Sequence, residues 1–134
     1  MIREAGWEDI PRLMSYISEF HLASPWAEEA FSPSATRTEL QNLISWPSAC
    51  VFIHDHGVIG GHLMPLRFGK SVLAQEIFWW AEKDGMALFR RFEQWAEEHG
   101  ADLICMAGLS GSKIGKLYER RGYERREVFY VRHI

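Results

Sequence analysis

The chain has 134 residues, 47% of them hydrophobic and 25% charged, with a formal net charge of −3. That length suits one domain, residues 1–134, with a real core. The mixed charges offer no basic stripe for a phosphate backbone and argue against nucleic acid as a partner. MIREAGWEDI lacks an apolar h-region, and no apolar run reaches membrane-spanning length. A cytoplasmic protein with no membrane partner is therefore expected.

Met1–Ala5 reads as a short first strand. Trp7–Phe20 follows as a helix with Ile10, Leu13, Met14 and Ile17 on one face. Glu8 and Asp9 suit its first turn, and Pro11 is tolerated near that end. His21–Phe31 has no period and contains Pro25, so it reads as a loop. Ser32-Pro33 is an N-cap followed by proline at the first helical position. The helix behind it carries Leu40, Leu43 and Ile44 and stops at Trp46-Pro47.

Ala49–His54 and Val58–Leu66 read as strands joined by the tight turn Asp55-His56-Gly57. Ser71–Ala81 is a long third strand of the same set. Asp84 is placed to cap the next helix, whose stripe is Leu88, Phe92, Trp95, Ala96 and His99, with Gly100 ending it. Asp102–Ala107 is continuously apolar after its first residue, the pattern of a strand buried on both faces. Gly108–Ser112 is a loop, Lys113–Arg121 a helix closed by Gly122, and Tyr123–Arg132 a final strand.

The predicted order is β-α-α-β-β-β-α-β-α-β. The unit from Ser71 to Ala107 should be a right-handed parallel crossover. Ligands in such sheets bind beyond the carboxyl ends of the strands, here beside Glu82–Met86. A helix N-terminus there brings unpaired N–H groups and a positive dipole end together, which suits an anion. Cys50 and Cys105 sit in apolar runs and read as free thiols. Six Trp and eight Phe suggest a core of large rings and an apolar cleft.

This order, together with Y-E-R-R-G-Y at Tyr118–Tyr123, resembles the GCN5-related N-acetyltransferase (GNAT) superfamily over nearly the whole chain. The resemblance implies an α/β (α+β) fold. Its mixed, mostly antiparallel sheet would have about six to seven strands and about four flanking helices, with a parallel, splayed central pair. It also implies transfer of an acetyl group from acetyl-CoA, as co-substrate, to a primary amine of a small molecule or protein by direct attack. Phe78, Trp79 and Trp80 would then offer backbone groups to pantetheine. Lys83, Asp84, Gly85, Met86 and Ala87 would line the pyrophosphate turn, with Lys113 near the nucleotide. Tyr118, in the family's final Y-x-x-x-G-[FY] pattern, is the implied general acid. Glu76, in a Glu-Ile context used by some members, is the candidate base. The loop motif [QR]-x-x-G-x-[GA] is replaced by the shorter A-E-K-D-G-M-A, in which Gly85 matches the last glycine.

Other readings accompany these. Tyr118 also suits a packing ring, and Glu76 an exposed strand charge or an arginine's partner. His54-x-His56 shares one strand face with His62 across the hairpin, yet no cysteine or acidic cluster completes a site, so no metal is expected. Trp26, Glu28 and Glu29 would suit a cationic amine. A second function, a catalytically degenerate GNAT-like domain acting as a binding or assembly module, rests on the short loop and the aromatic excess. A homodimer is left open.

Overall fold

The computed structural model describes residues 1–109 and 112–134; Ser110 and Gly111 of the expected Gly108–Ser112 loop lie outside the described residues. Its elements are β1 (Arg3–Glu4), a turn of 3-10 helix (Trp7–Asp9), α1 (Ile10–Ala23), α2 (Pro33–Ser45), β2 (Ala49–His54), β3 (Gly57–Pro65), β4 (Val72–Ala81), α3 (Gly85–Glu98), β5 (Leu103–Cys105) and α4 (Ile114–Arg120). The strands form one sheet in the order β1-β2-β3-β4-β5. All neighbours are antiparallel except β4 and β5, which run parallel. This is the mixed, mostly antiparallel architecture that the resemblance implies. Among the described residues no helix is long and apolar enough to cross a membrane.

Two apolar layers sandwich the sheet. On one face, Leu13 and Tyr16 of α1 and Leu40 and Leu43 of α2 bury against Val51, Ile53, Val58 and Phe78. On the other, Leu88, Phe92, Trp95 and Ala96 of α3 bury against Cys50, Phe52, Ile59 and Ala74. Each fully buried large side chain contributes about 1.5–3 kcal/mol, so these stripes fix which face each helix presents.

Local chemistry sets the helix ends. Asp9, buried at the start of α1, accepts two bonds of 2.7 Å from the Arg3 guanidinium and one of 2.8 Å from the Gly6 N–H. Ser32 Oγ accepts from the Ala35 N–H at 3.2 Å, with Pro33 opening α2. Gly100 and Gly122 take positive φ beyond the ends of α3 and α4, the conformation glycine adopts without a Cβ clash.

One irregularity governs the site. Gly60 pairs with Phe78, but the next residue, Gly61, pairs with Glu76, leaving Ile77 as an extra residue in β4. Ile77 and Phe78 consequently both pack toward α1 and α2, and the alternation of β4 inverts there. A Cβ on Gly60 would lie 2.4 Å from the Phe78 ring, and one on Gly61 would lie 2.5 Å from the Gln75 carbonyl oxygen. The bulge therefore needs bare backbone opposite it.

The sheet corrects four expectations. Five strands are present among the described residues rather than six or seven. Tyr123–Arg132 is not a strand: among the described residues no backbone–backbone bond involves residues 124–134, and Phe129 and Tyr130 are 81% and 93% exposed. Its β-branched and aromatic residues supply strand propensity but no partner, and pairing is what makes a strand. As a result β5 is an edge strand, and the parallel pair lies at the margin of the sheet rather than at its centre; nor is β5 buried on both faces, since Leu103 is exposed.

Candidate active site

The parallel pairing is short. Leu73, Ala74 and Gln75 pair with Leu103, Ile104 and Cys105, and there the two strands part. From Glu76 to Ala81, β4 keeps β3 on one side and has no strand on the other among the described residues. Phe78, Trp79 and Trp80 lie in this one-sided stretch. Beside it opens a cleft of about 250 Å³, lined by Glu76, Trp79, Gly85, Leu109, Ile114 and Tyr118 among others.

The bulge explains how Glu76 and Trp79, three residues apart, both reach this cleft. Before it, Ala74 packs toward α3; after it, Trp79 and Ala81 do so. Regular alternation would have sent Glu76 and Trp79 to opposite faces. Trp79 Nε1–H donates to the Gly85 carbonyl at 3.1 Å, tying the strand to the first residue of α3. Trp80 faces away and lies 5.4 Å from the Tyr16 ring, while Phe78 is buried in the opposite layer.

Glu76 and Tyr118 converge on one residue. The Ala107 N–H donates to Glu76 Oε1 at 3.1 Å, and Tyr118 Oη–H donates to the Ala107 carbonyl at 2.9 Å. Glu76 is only 5% exposed. Burial pushes its carboxyl up to about 7 from an ordinary 4.5, against the lowering effect of the Ala107 N–H. A carboxyl poised there can take a proton near neutral pH. Burial, and then the neighbouring Glu76 charge, raise the Tyr118 phenol above its usual range, so it holds its proton as a potential acid.

The Tyr118–Tyr123 motif has a packing basis. Gly122 turns the chain so that the Tyr123 N–H bonds back to the Tyr118 carbonyl at 3.0 Å. The rings of Tyr118 and Tyr123 lie 5.8 and 5.9 Å from Phe89 of α3, and Trp79 lies 5.1 Å from Phe89. Tyr123 Oη–H donates to Glu93 Oε2 at 3.0 Å, which locks α4 to α3. Tyr118 is thus both a packing ring and a cleft residue.

The turn between β4 and α3 carries the other expected positions. Lys83 and Asp84 are exposed; Gly85, Met86 and Ala87 are half-buried at the start of α3. The first amides of a helix have no intrahelical acceptor and point outward at its positive end. Asp84 precedes them, but it does not cap with its side chain: it adopts φ 60°, ψ 34° and makes no side-chain cap bond. Lys113, exposed, immediately precedes α4. Among the described residues no group of three or more His, Cys, Asp or Glu side chains is placed to hold a metal ion. His54 is buried and bonded to the backbone, and Glu29 pairs with His133.

The sequence did not point to Ala107, whose peptide groups hold both polar side chains, nor to Leu109 and Ile114 in the lining. Small and aliphatic residues carry no chemical signal, and only the meeting of the segment after β5 with Tyr118 of α4 reveals them.

These elements form a GNAT-like fold, which solved structures named as acetyltransferases share. A provisionally named acetyl transferase from Pyrococcus furiosus superposes with a TM-score of 0.77 at 22% identity, covering 100% of this chain and 99% of its own. A Clostridium acetobutylicum protein, named an acetyltransferase by prediction and solved with acetyl-CoA, gives 0.80 at 12% identity, covering 99% and 95%. A ribosomal-protein-alanine N-acetyltransferase from Brucella melitensis gives 0.70 at 14%, covering 100% and 99%. No protein-family model and no curated protein matches the sequence itself.

Proposed function

We propose that the protein is an acyl-CoA-dependent N-acetyltransferase that acetylates a primary amine by direct attack. The observation that carries this reading is the pairing of Glu76 and Tyr118 on the two peptide groups of Ala107, at a cleft beside the one-sided stretch of β4. The residues present fit a CoA thioester. An unpartnered strand edge can accept the amides of pantetheine, as a second strand would. The amides of Gly85, Met86 and Ala87 suit an anion, and Lys83 adds positive charge. Trp79, Leu109 and Ile114 supply apolar walls.

Acetyl-CoA would supply the activated acyl group. The chain's own contribution is proton handling and exclusion of water. Ionised Glu76 accepts a proton from the incoming ammonium, directly or through one water, and leaves it a neutral amine. As the C–N bond formed and the C–S bond broke, Tyr118 Oη–H would turn from the Ala107 carbonyl toward the cleft and donate its proton to the departing sulfur, and the proton shed by the acylated nitrogen would return to the phenolate. The half-charge on Glu76 near pH 7 suits this exchange, because a base is most effective when its pKa lies close to the working pH.

Titration calorimetry with CoA and acetyl-CoA tests the reading, followed by thiol release against a panel of primary amines. Binding in the micromolar range and amine-dependent release of CoA are expected. No heat at millimolar ligand would overturn the enzyme reading.

A further inference from the structure

His54, at the tip of the β2–β3 hairpin, is buried yet has no catalytic neighbour. Its Nδ1 accepts the His56 N–H at 3.0 Å, which leaves the ring proton on Nε2, and Nε2–H donates to the Asp84 carbonyl at 3.0 Å. The same hairpin reaches the same turn a second time: the Glu82 N–H donates to the His56 carbonyl at 2.8 Å. The hairpin is itself held from the opposite side. Arg12 of α1 donates to the His54 carbonyl, and Tyr16 Oη–H to the Asp55 carbonyl at 3.1 Å.

Asp84 is the one non-glycine residue described with a positive φ, at 60°. The left-handed conformation crowds Cβ against the following peptide, a cost that aspartate bears more readily than most residues but glycine escapes altogether. No cap bond from the Asp84 side chain offsets this. The conformation sets the direction in which the chain enters α3, and hence where the amides of Gly85, Met86 and Ala87 point. The Asp84 carbonyl accepts from His54, whose own carbonyl is held from across the sheet by Arg12 of α1.

We propose that His54 is a positioning residue that clamps Asp84 in its left-handed conformation and so presents the first amides of α3 to the anionic part of the ligand. The proposal rests on the acyl-CoA reading for its ligand, but the clamp itself is a property of the turn. It assigns the hairpin a role in affinity, remote from the proton-transfer groups.

His54→Ala removes the bond to Asp84. Affinity for CoA should fall about tenfold, the effect of one lost hydrogen bond on turn geometry, equivalent to about 1.4 kcal/mol. KM for acetyl-CoA should rise in parallel while kcat stays near wild type. His54→Gln, whose amide can reach the Asp84 carbonyl, should restore most of the affinity. The sharper test is Asp84→Gly in the His54→Ala background: glycine adopts positive φ without strain, so affinity should recover although the bond is still absent. Amide hydrogen exchange at Gly85–Ala87 should quicken in His54→Ala and slow again with Asp84→Gly. Unchanged exchange and unchanged affinity in His54→Ala would overturn the clamp, as would a uniform loss of kcat and affinity that Asp84→Gly does not relieve. If wild-type protein binds no CoA, the ligand reading fails, and the exchange measurement still decides the clamp.

Discussion

Replacing Glu76 with glutamine removes a titrating group while keeping the shape of the side chain and an oxygen to accept the Ala107 N–H. The carboxyl lies at about 7 in the folded protein and at 4.5 ordinarily. Between those values the folded state holds a proton that the unfolded chain has released, so stability falls as pH rises through this window. The separation is about 2.5 pH units, which at about 1.36 kcal/mol per unit makes wild type lose about 3 kcal/mol between pH 4.5 and pH 8. Glu76→Gln should lose none of this. Urea denaturation of both proteins from pH 5 to pH 9 isolates the contribution, because other titrating groups are shared and cancel in the difference. The stability of Glu76→Gln relative to wild type should climb as pH rises and level off above pH 8. The acid limb of kcat/KM near pH 7 should vanish in the variant, with activity down about a hundredfold. A stability difference that stays flat across this range would refute the burial argument.

Tyr118→Phe keeps the ring stack on Phe89 but loses the hydroxyl, so kcat should fall about 10²-fold or more while melting temperature drops only by the equivalent of about 1 kcal/mol. Gly61→Ala should destabilise by about 1–3 kcal/mol, since the new methyl meets the Gln75 carbonyl and the Phe92 ring in a packed layer; calorimetric melting measures it. The Arg3 guanidinium holds the Asp9 carboxyl down at about 2, so its stabilisation is present above pH 4 and lost as pH falls toward 2. Asp9→Asn should therefore cost about 1–2 kcal/mol at pH 7 and much less in acid, as read by denaturation at both pH values. Deleting residues 127–134 should leave the melting temperature within a few degrees of wild type, about 0.5 kcal/mol or less, because the segment is exposed and the contact of His133 with Glu29 lies in solvent.

Much of the scaffold was legible because its signals are local. Ser32-Pro33, Gly100 and Gly122 mark helix ends through backbone rules that need no tertiary context, and Asp55-His56-Gly57 announces its hairpin in the same way. The stripe of α3 is strong enough to fix its buried face. Val128–Val131 misled for the converse reason: its composition favours extended chain, but whether a strand forms depends on a partner elsewhere. Asp84 looked like a side-chain cap because aspartate usually caps, whereas its side chain makes no cap bond and its carbonyl accepts from His54, 30 residues away. The site was half visible. Glu76 and Tyr118 were marked by residue type and resemblance, but their meeting at Ala107 depends on a bulge whose only sequence trace is the pair Gly60-Gly61.

Ala107 gives Glu76 and Tyr118 a common reference point. Because its N–H holds one and its carbonyl the other, a displacement of the chain leaving β5 carries both groups together rather than pulling them apart. Fluctuation of that segment would then change how far the pair stands from the rest of the cleft while preserving the spacing between carboxyl and phenol. A proline at position 107, which deletes the N–H and keeps the carbonyl, would uncouple the two, freeing the carboxylate while the phenol stays tethered.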